Sequence, residues 1–316
     1  MSAFRSEVVA LAAGIGIGAA SIWCFKRATL GPYIYSTADQ VSRFACAKAK
    51  NNQRYLNIDT VYNGGYLKGL RVLITGGNRG LGFAMVKQLI VDGAEVTVVG
   101  RTTSAALEGL ACTQTSKQTS TGSVTIIQGI DVTDTEAVDK MAKALPTAVD
   151  VVINNAGYFM EAAEKLDCLN FEEQLKQIDI CALGPLRVNA ALHKHKKLAP
   201  GAKLVIISSQ AGSCEWRFTQ NKNAGGDYGH HMSRAACNIA GVLLSEELKS
   251  EGLPVVMLHP GFNRTDMTSK FSHIWDIEGA VDASVGAKRV LHEIECISIE
   301  RTGFFINCED GLRIPW

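Results

Sequence analysis

The 316-residue chain is 47% hydrophobic and 20% charged, the balance of a globular protein with one large core, so disordered, collagenous and disulfide-knot classes are excluded. Its 32 Lys and Arg against 31 Asp and Glu leave a net charge of +1, too little to hold a nucleic-acid backbone. Nine cysteines, odd in number and without a C-x-x-C, outline neither a zinc site nor a disulfide framework and point to a reducing compartment.

Residues 8–25 carry no charge between Glu7 and Lys26, which is just long enough to span a bilayer. A cleaved signal peptide is the alternative, and the weakly basic start argues against it. Gly14 and Gly18 form a G-x-x-x-G that admits a second helix closely, although small residues are common in membrane helices in any case. Lys26, Arg27, Arg43, Lys48 and Lys50 follow the span, so the positive-inside rule keeps the remainder in the cytosol or matrix. Glu7 and Asp39 are the only acids up to Asn57, a bias that tilts the location toward the mitochondrial inner membrane over the endoplasmic reticulum. The expected organisation is a tail (1–7), a transmembrane helix (8–27), a connector (28–68) and a body (69–316). In the connector Ser36 and Thr37 are candidate N-caps, with Asp39 and Gln40 three residues on and Val41, Phe44 and Ala45 at helical spacing, which predicts a short amphipathic helix. Tyr33, Tyr35, Tyr55, Tyr62 and Tyr66 fall there too, suited to a membrane interface, a partner, or packing on the protein's own body.

From Leu70 short Val/Ile-rich runs alternate with helical patterns: LRVLIT, EVTVV, VTIIQGI, VDVVIN, AKLVIIS, PVVMLH and GFFIN, with helices over about 83–91, 171–197, 232–250 and 281–295. This is an α/β pattern, predicting a doubly wound parallel sheet of seven strands covered on both faces. The Thr-, Ser- and Gln-rich stretch from Thr113 to Gly122 reads as a solvated, mobile loop.

Directly after the first strand come Thr75, Gly76, Gly77, Asn78, Arg79, Gly80, Leu81 and Gly82, opening a helix. Glycines there allow a tight turn and close backbone approach to a pyrophosphate, which the free N–H groups of a helix start stabilise. A strand before and a helix after make the pattern specific. Its T-G-x-x-x-G-x-G spacing resembles that of the short-chain dehydrogenase/reductase family. Asp131-Val132, Asn154-Asn155-Ala156-Gly157, Ser208-Ser209, Pro260-Gly261 and Thr265-Asp266-Met267 fall after the strands where that family has them. The resemblance runs from about Gly69 to Trp316, and the closing Gly311–Trp316 is similar to the carbonyl-reductase-like, C-factor branch. It implies a Rossmann fold and a nicotinamide cofactor, with Asp131 and Val132 at the adenine, Asn154 to Gly157 on the adenosine side, Pro260 and Gly261 in the cofactor cleft, and Thr265 reaching the pyrophosphate or nicotinamide amide. The second strand ends Val99-Gly100-Arg101 with no carboxylate for a ribose 2′-OH. Arg79 and Arg101 can instead clamp a 2′-phosphate with forked donors, which favours NADP(H), unless both merely face solvent.

Active members of that family use a Tyr acid, a Lys four residues on, a Ser that orients the carbonyl and an Asn that holds a relay water. Tyr228 to Asn238 aligns with the branch pattern Y-x-Y-x-M-S-K-A-A-x-N, putting His230 at the Tyr position and Arg234 at the Lys position. Cys181, three residues before Gly184-Pro185, takes the Asn position, and Ser209 alone is retained. Protonated His230 would sit beside a second cation, Arg234 cannot relay a proton, and Cys181 is a poor water holder. Tyr228 is two residues early, with no Lys at the matching spacing. Losing a positioned acid costs on the order of 10²- to 10⁴-fold.

The expected function is therefore a membrane-anchored NADP(H)-binding protein with a degraded active site, a structural or redox-sensing subunit of a membrane complex. The alternative is a membrane-bound NADPH-dependent reductase of a lipophilic carbonyl, with His230 as the acid. The run His193, Lys194, His195, Lys196, Lys197 suits a solvated helix C-terminus, or contact with lipid phosphate, and lacks the clustered carboxylates of a metal site. Phe271, Ile274 and Trp275, in the loop from Phe262 to Gly279, would face a substrate or a partner.

Overall fold

The computed structural model describes residues 36–115 and 122–316, so the predicted span, its Gly14 and Gly18, and Tyr33 and Tyr35 lie outside it. Among the described residues no helix is long and apolar enough to cross a membrane. Helix α1 (Ala38–Ala49) opens on a capping box: Thr37 accepts from the Gln40 amide while the Gln40 side chain accepts from that of Thr37.

After it come β1 (Arg71–Thr75), α2 (Gly80–Val91), β2 (Glu95–Gly100), α3 (Ala105–Thr115), β3 (Ser123–Gln128), α4 (Thr135–Ala144) and β4 (Val149–Asn154). The second half holds α5 (Phe171–Ile178), α6 (Gly184–Lys194), β5 (Leu198–Ile207), α7 (Tyr228–Leu248) and β6 (Val255–His259). A short pair, β7 (Asn263–Arg264) and β8 (Val281–Asp282), precedes α8 (Ala283–Glu295) and β9 (Phe305–Asn307). Seven strands form one sheet in the order β3-β2-β1-β4-β5-β6-β9, every neighbouring pair parallel. The order in which successive strands are added reverses between β1 and β4, which leaves a crevice beyond Thr75 and Asn154, paired in register, where such sheets bind ligands.

Alternation in β1 divides the core. Val72 and Ile74 face Met85, Leu89, Val290 and Leu291 on α2 and α8, while Leu73 faces Val138, Met141, Val188 and Leu192 on α4 and α6. All of these are at most 3% exposed, and burial of each apolar side chain contributes about 1.5–3 kcal/mol.

The single helix expected over 171–197 is interrupted: a π turn, Asp179–Leu183, separates α5 from α6. Pro185 lacks the N–H that would bond the Cys181 carbonyl, so the regular ladder cannot continue there. Helix α7 starts four residues earlier than the pattern implied, after Asp227 in a left-handed conformation (φ 47°). Of the polar stretch at 113–122, the first residues continue α3 and 116–121 lie outside the described residues.

Residues 36–68 are not a tether but part of the body. Ile58 and Leu67 are 2% and 0% exposed, the Tyr62 hydroxyl donates to Asp92 (2.5 Å), and that of Tyr66 donates to the Leu291 carbonyl (2.6 Å). Tyr55 stacks on Phe44. The boundary expected at Gly69 is thus a boundary of pattern, not of packing. Three residues of the basic run closing α6 are paired within the chain: His193 with Glu251 (3.0 Å), and Lys194 and His195 with Asp139 (2.8 and 3.0 Å). That pairing leaves less charge for a lipid phosphate than the sequence implied.

Candidate functional site

The glycine loop lies in the crevice. Gly76 (φ 68°) packs so closely that a Cβ would lie 2.9 Å from Ala156 Cα, and one on Gly82 would lie 2.2 Å from the Gly76 carbonyl oxygen. No larger residue fits either place. The loop is held from β4: the Asn155 and Ala156 amides donate to Thr75 Oγ1 (3.1 and 3.0 Å), and Asn155 Nδ2 donates to the Thr75 and Gly76 carbonyls (3.1 and 2.9 Å). Arg79, at the N-cap of α2, makes no side-chain cap bond, so the first-turn amides of Gly80, Leu81 and Gly82 remain for an anion. Thr265 faces them, 3.6 Å from where a Gly80 Cβ would stand. An open helix start walled by glycines that exclude a Cβ fits a dinucleotide pyrophosphate.

Not every residue expected at the adenosine side is there. Asn154 is 2% exposed and donates into the core, to Asn189 Oδ1 and the Val205 carbonyl (both 3.2 Å). It braces β4 against β5 instead of lining the cleft, and only Asn155, Ala156 and Gly157 remain beside the loop. Val132 is buried against Gly184. Asp131 accepts from the Thr133 amide and hydroxyl (2.9 and 2.8 Å) and pairs with Arg101 at 3.5 Å. Partial burial works to raise its carboxyl, but the Thr133 hydrogen bonds and Arg101 outweigh that and hold it below the usual carboxylate range. The Arg101 side chain is 64% exposed, and so open a pair is worth about 0–1 kcal/mol, little to give up to a phosphate. Asn78 Nδ2 donates to Thr102 Oγ1 (3.3 Å) and Ser104 Oγ to the Asn78 carbonyl (2.8 Å), which ties the glycine loop to the end of β2. Pro260 and Gly261 close the far side, their carbonyls accepting from Asn263 Nδ2 (3.2 and 3.0 Å).

The four residues at positions the family pattern assigns to catalysis gather around the ends of β4 and β5. Ser209, after β5, caps the next turn by accepting from the Ala211 amide (3.2 Å). Arg234 is 6% exposed; its Nη1 donates to the Ile207 carbonyl (3.0 Å), Nη2 lies 3.1 Å from where a Gly157 Cβ would be, and Nε is buried without a partner. Cys181, in the π turn and 1% exposed, is engaged with the Tyr158 main chain, accepting from its amide (3.4 Å) and donating to its carbonyl (3.5 Å). A thiol so placed has no amide to offer a relay water.

His230 stacks on Phe159, centroids 4.1 Å apart at 19°, and its Nδ1 is buried without a hydrogen-bond partner. Burial, and then the Arg234 guanidinium, push its pKa well below the ordinary histidine value, so the ring is neutral at physiological pH. Tyr228 faces a surface groove lined by Phe218, His231 and Met232 instead.

Sequence reasoning missed three contributors. Phe159 covers His230, and Phe271 and Lys270 from the loop after β6 close on Phe159: the rings lie 5.9 Å apart and Lys270 Nζ stands 3.5 Å over its centroid. Lys270 also donates to the Met160 carbonyl (2.6 Å). Glu164, 3% exposed, accepts from the Gly229 amide (2.7 Å) and from Gln174 Nε2 (2.8 Å), capping α7 from another segment. Only Phe271 of the aromatic group had been singled out; no local pattern marks the others.

The family profile described as short chain dehydrogenase matches residues 71–274. The 1-hydroxy-2-glutathionyl-2-methyl-3-butene dehydrogenase of Rhodococcus sp. (strain AD45) is 28% identical over 248 residues, covering 78% of this chain and 99% of the relative. The C-signal protein of Myxococcus xanthus is 32% identical over 176 residues, covering 53% of this chain and 93% of the relative. In structure, the carbonyl reductase Sniffer of D. melanogaster superposes with a TM-score of 0.65 at 24% identity, covering 78% of this chain and 100% of that one. An NADPH-bound carbonyl reductase from chicken fatty liver gives 0.65 at 23% identity over 79% and 100% of the two chains. With the glycine loop at the sheet's switch point and the family match spanning most of the body, the chain belongs to the short-chain dehydrogenase/reductase family, an NAD(P)-binding oxidoreductase fold with carbonyl reductases among its structural neighbours.

Proposed function

We propose that this protein binds NADP(H) without running the family's carbonyl reduction, as a membrane-anchored structural or redox-sensing subunit of a larger assembly. One observation carries the reading: the side chain at the proton-donor position, His230, is a neutral ring stacked beneath Phe159 beside the Arg234 cation. A neutral imidazole beside a fixed guanidinium is a poor source of a proton at neutral pH. The nucleotide half supports binding by contrast, with its glycines, its open α2 start and two arginines near the ends of β1 and β2. The apolar run at 8–25 supports anchorage, and its acid-poor flanks favour the mitochondrial inner membrane.

A steady-state screen of the purified protein with NADPH against quinones, ketones and aldehydes tests the reading, with no turnover above background expected. Robust turnover that disappears in His230→Ala would overturn it in favour of a reductase of lipophilic carbonyls. Native electrophoresis after mild detergent tests the assembly, because migration alone or as a simple homodimer removes the subunit role.

For cofactor choice, the missing carboxylate after β2 and the exposed Arg79 and Arg101 favour a 2′-phosphate, as does the NADPH bound to the chicken carbonyl reductase. Calorimetry is expected to give NADPH an affinity at least tenfold above NADH, and the double change Arg79→Ala/Arg101→Ala to erase most of that difference, since charge-assisted bonds are worth about 1.5–3 kcal/mol each. Equal affinities in the unmodified protein would refute the preference.

A further inference from the structure

The family match begins at residue 71, yet the segment ahead of it is built into the molecule beside the site. Ser36, Thr37 and Gln40 are 7%, 0% and 2% exposed. From this segment two contacts reach the two loops that flank the cleft. The Ser36 amide and hydroxyl both donate to Glu278 Oε2 (3.1 and 2.8 Å), at the end of the loop that begins after β6 and carries Thr265, Lys270 and Phe271. Gln40 Nε2 donates to Gln210 Oε1, next to Ser209 in the turn that Ser209 caps. Arg43, one turn further along α1, is forked onto Asp310 (2.7 and 2.8 Å) and lies over the Trp216 ring. The fork fixes α1 to the C-terminal segment, and the ring contact links it to the helical turn beyond Gln210.

We propose that Ser36 and Gln40 are positioning residues of the nucleotide site, holding its two outer loops in place from a segment that precedes the family's shared body. The proposal rests on the nucleotide-binding reading above. Its physical basis is reach: neither loop belongs to the sheet, so each depends on contacts from elsewhere to stay closed on the cleft. Ser36 bonds a carboxylate, where hydrogen bonds are stronger than between neutral groups. The Gln40 amide has a divided role, since its oxygen caps α1 while its nitrogen holds Gln210. Thr37 supplies the other half of the cap and touches neither loop in this way, which provides a control.

The test uses the full chain in detergent, with amide hydrogen exchange and a fluorescence titration of NADPH. In the double variant Ser36→Ala/Gln40→Met, exchange over 209–213 and 263–279 is expected to quicken about tenfold while β1, β2 and β4 are unchanged, and the NADPH dissociation constant to rise roughly five- to tenfold. Thr37→Val, which removes a cap without touching Gln210 or Glu278, is expected to lower overall stability and leave both loops and the affinity unchanged. Loops unchanged in the double variant, exchange quickened throughout the body, loosened loops with unaltered affinity, or the same local pattern in Thr37→Val would each overturn the proposal. If the unmodified chain binds no NADPH in the same titration, the nucleotide reading fails, and the exchange pattern alone then decides whether the two residues hold the loops.

Discussion

Between pH 7.5 and pH 5 the folded chain is expected to lose about 2 kcal/mol of stability through His259 alone. This side chain ends β6, is 8% exposed, and has a buried Nδ1 without a partner. Burial, and then the Arg234 and Arg43 guanidinium groups, lower its pKa from 6.5 to about 3. A histidine with a depressed folded pKa takes up its proton first in the unfolded chain. Its contribution is therefore complete above about pH 6.5 and is lost as pH falls toward 3. His230, lowered by its burial and then by Arg234, adds in the same direction. Glu309, whose carboxyl burial raises, has the opposite sign, so the comparison with a variant isolates the histidine part. Urea denaturation at pH 7.5, 6.5, 5.5 and 5 should show the decline, and His259→Gln should flatten it by about the stated amount. A variant whose slope matches that of the unmodified protein would show that this ring does not stay neutral in the folded state.

Returning the family's groups to the site is expected to create activity. In the triple variant His230→Tyr/Arg234→Lys/Cys181→Asn, NADPH-dependent reduction of a small activated ketone should rise on the order of 10²- to 10⁴-fold above the unmodified protein, the range a positioned acid contributes. Ser209 already stands just after β5, and a Lys at 234 would carry its charge among the same neighbours, the Ile207 carbonyl and Gly157. Phe159 is the remaining obstacle, since it lies against the ring at position 230 and is clamped by Lys270 and Phe271. A triple variant that stays silent until Phe159→Ala is added would assign the block to this aromatic cover. If both stay silent while NADPH still binds, the residue at position 230 is not what limits carbonyl reduction by this chain.

Much of this molecule is written in local order. The run of β-branched residues from Arg71 to Thr75, followed at once by Gly76, Gly80 and Gly82, specifies a strand, a turn and a helix start, because each depends on residues adjacent in the chain. The same holds for the Thr37–Gln40 capping box. Cys181, His230 and Arg234 stand out against the family pattern because that pattern is read by spacing alone.

What the sequence could not decide is where distant segments meet. That Asn154 turns into the core to bond Asn189, that Arg101 finds Asp131, and that Phe159 covers His230 are outcomes of a sheet whose neighbours, β1 and β4, are separated by β2 and β3 in sequence. The strand pattern begins near Gly69, but Leu67 is in the core, Tyr62 and Tyr66 pack against it, and their hydroxyls bond Asp92 at the end of α2 and Leu291 on α8. By itself the sequence determined the strands of the sheet, the glycine turn after β1 and which side chains stand at positions 181, 230 and 234, all of them short-range patterns. The packing of residues 36–68 onto the body, the neutral state of His230 and the closed aromatic cover were decided only in the tertiary structure, because burial and charge proximity are properties of surfaces brought together from remote parts of the chain.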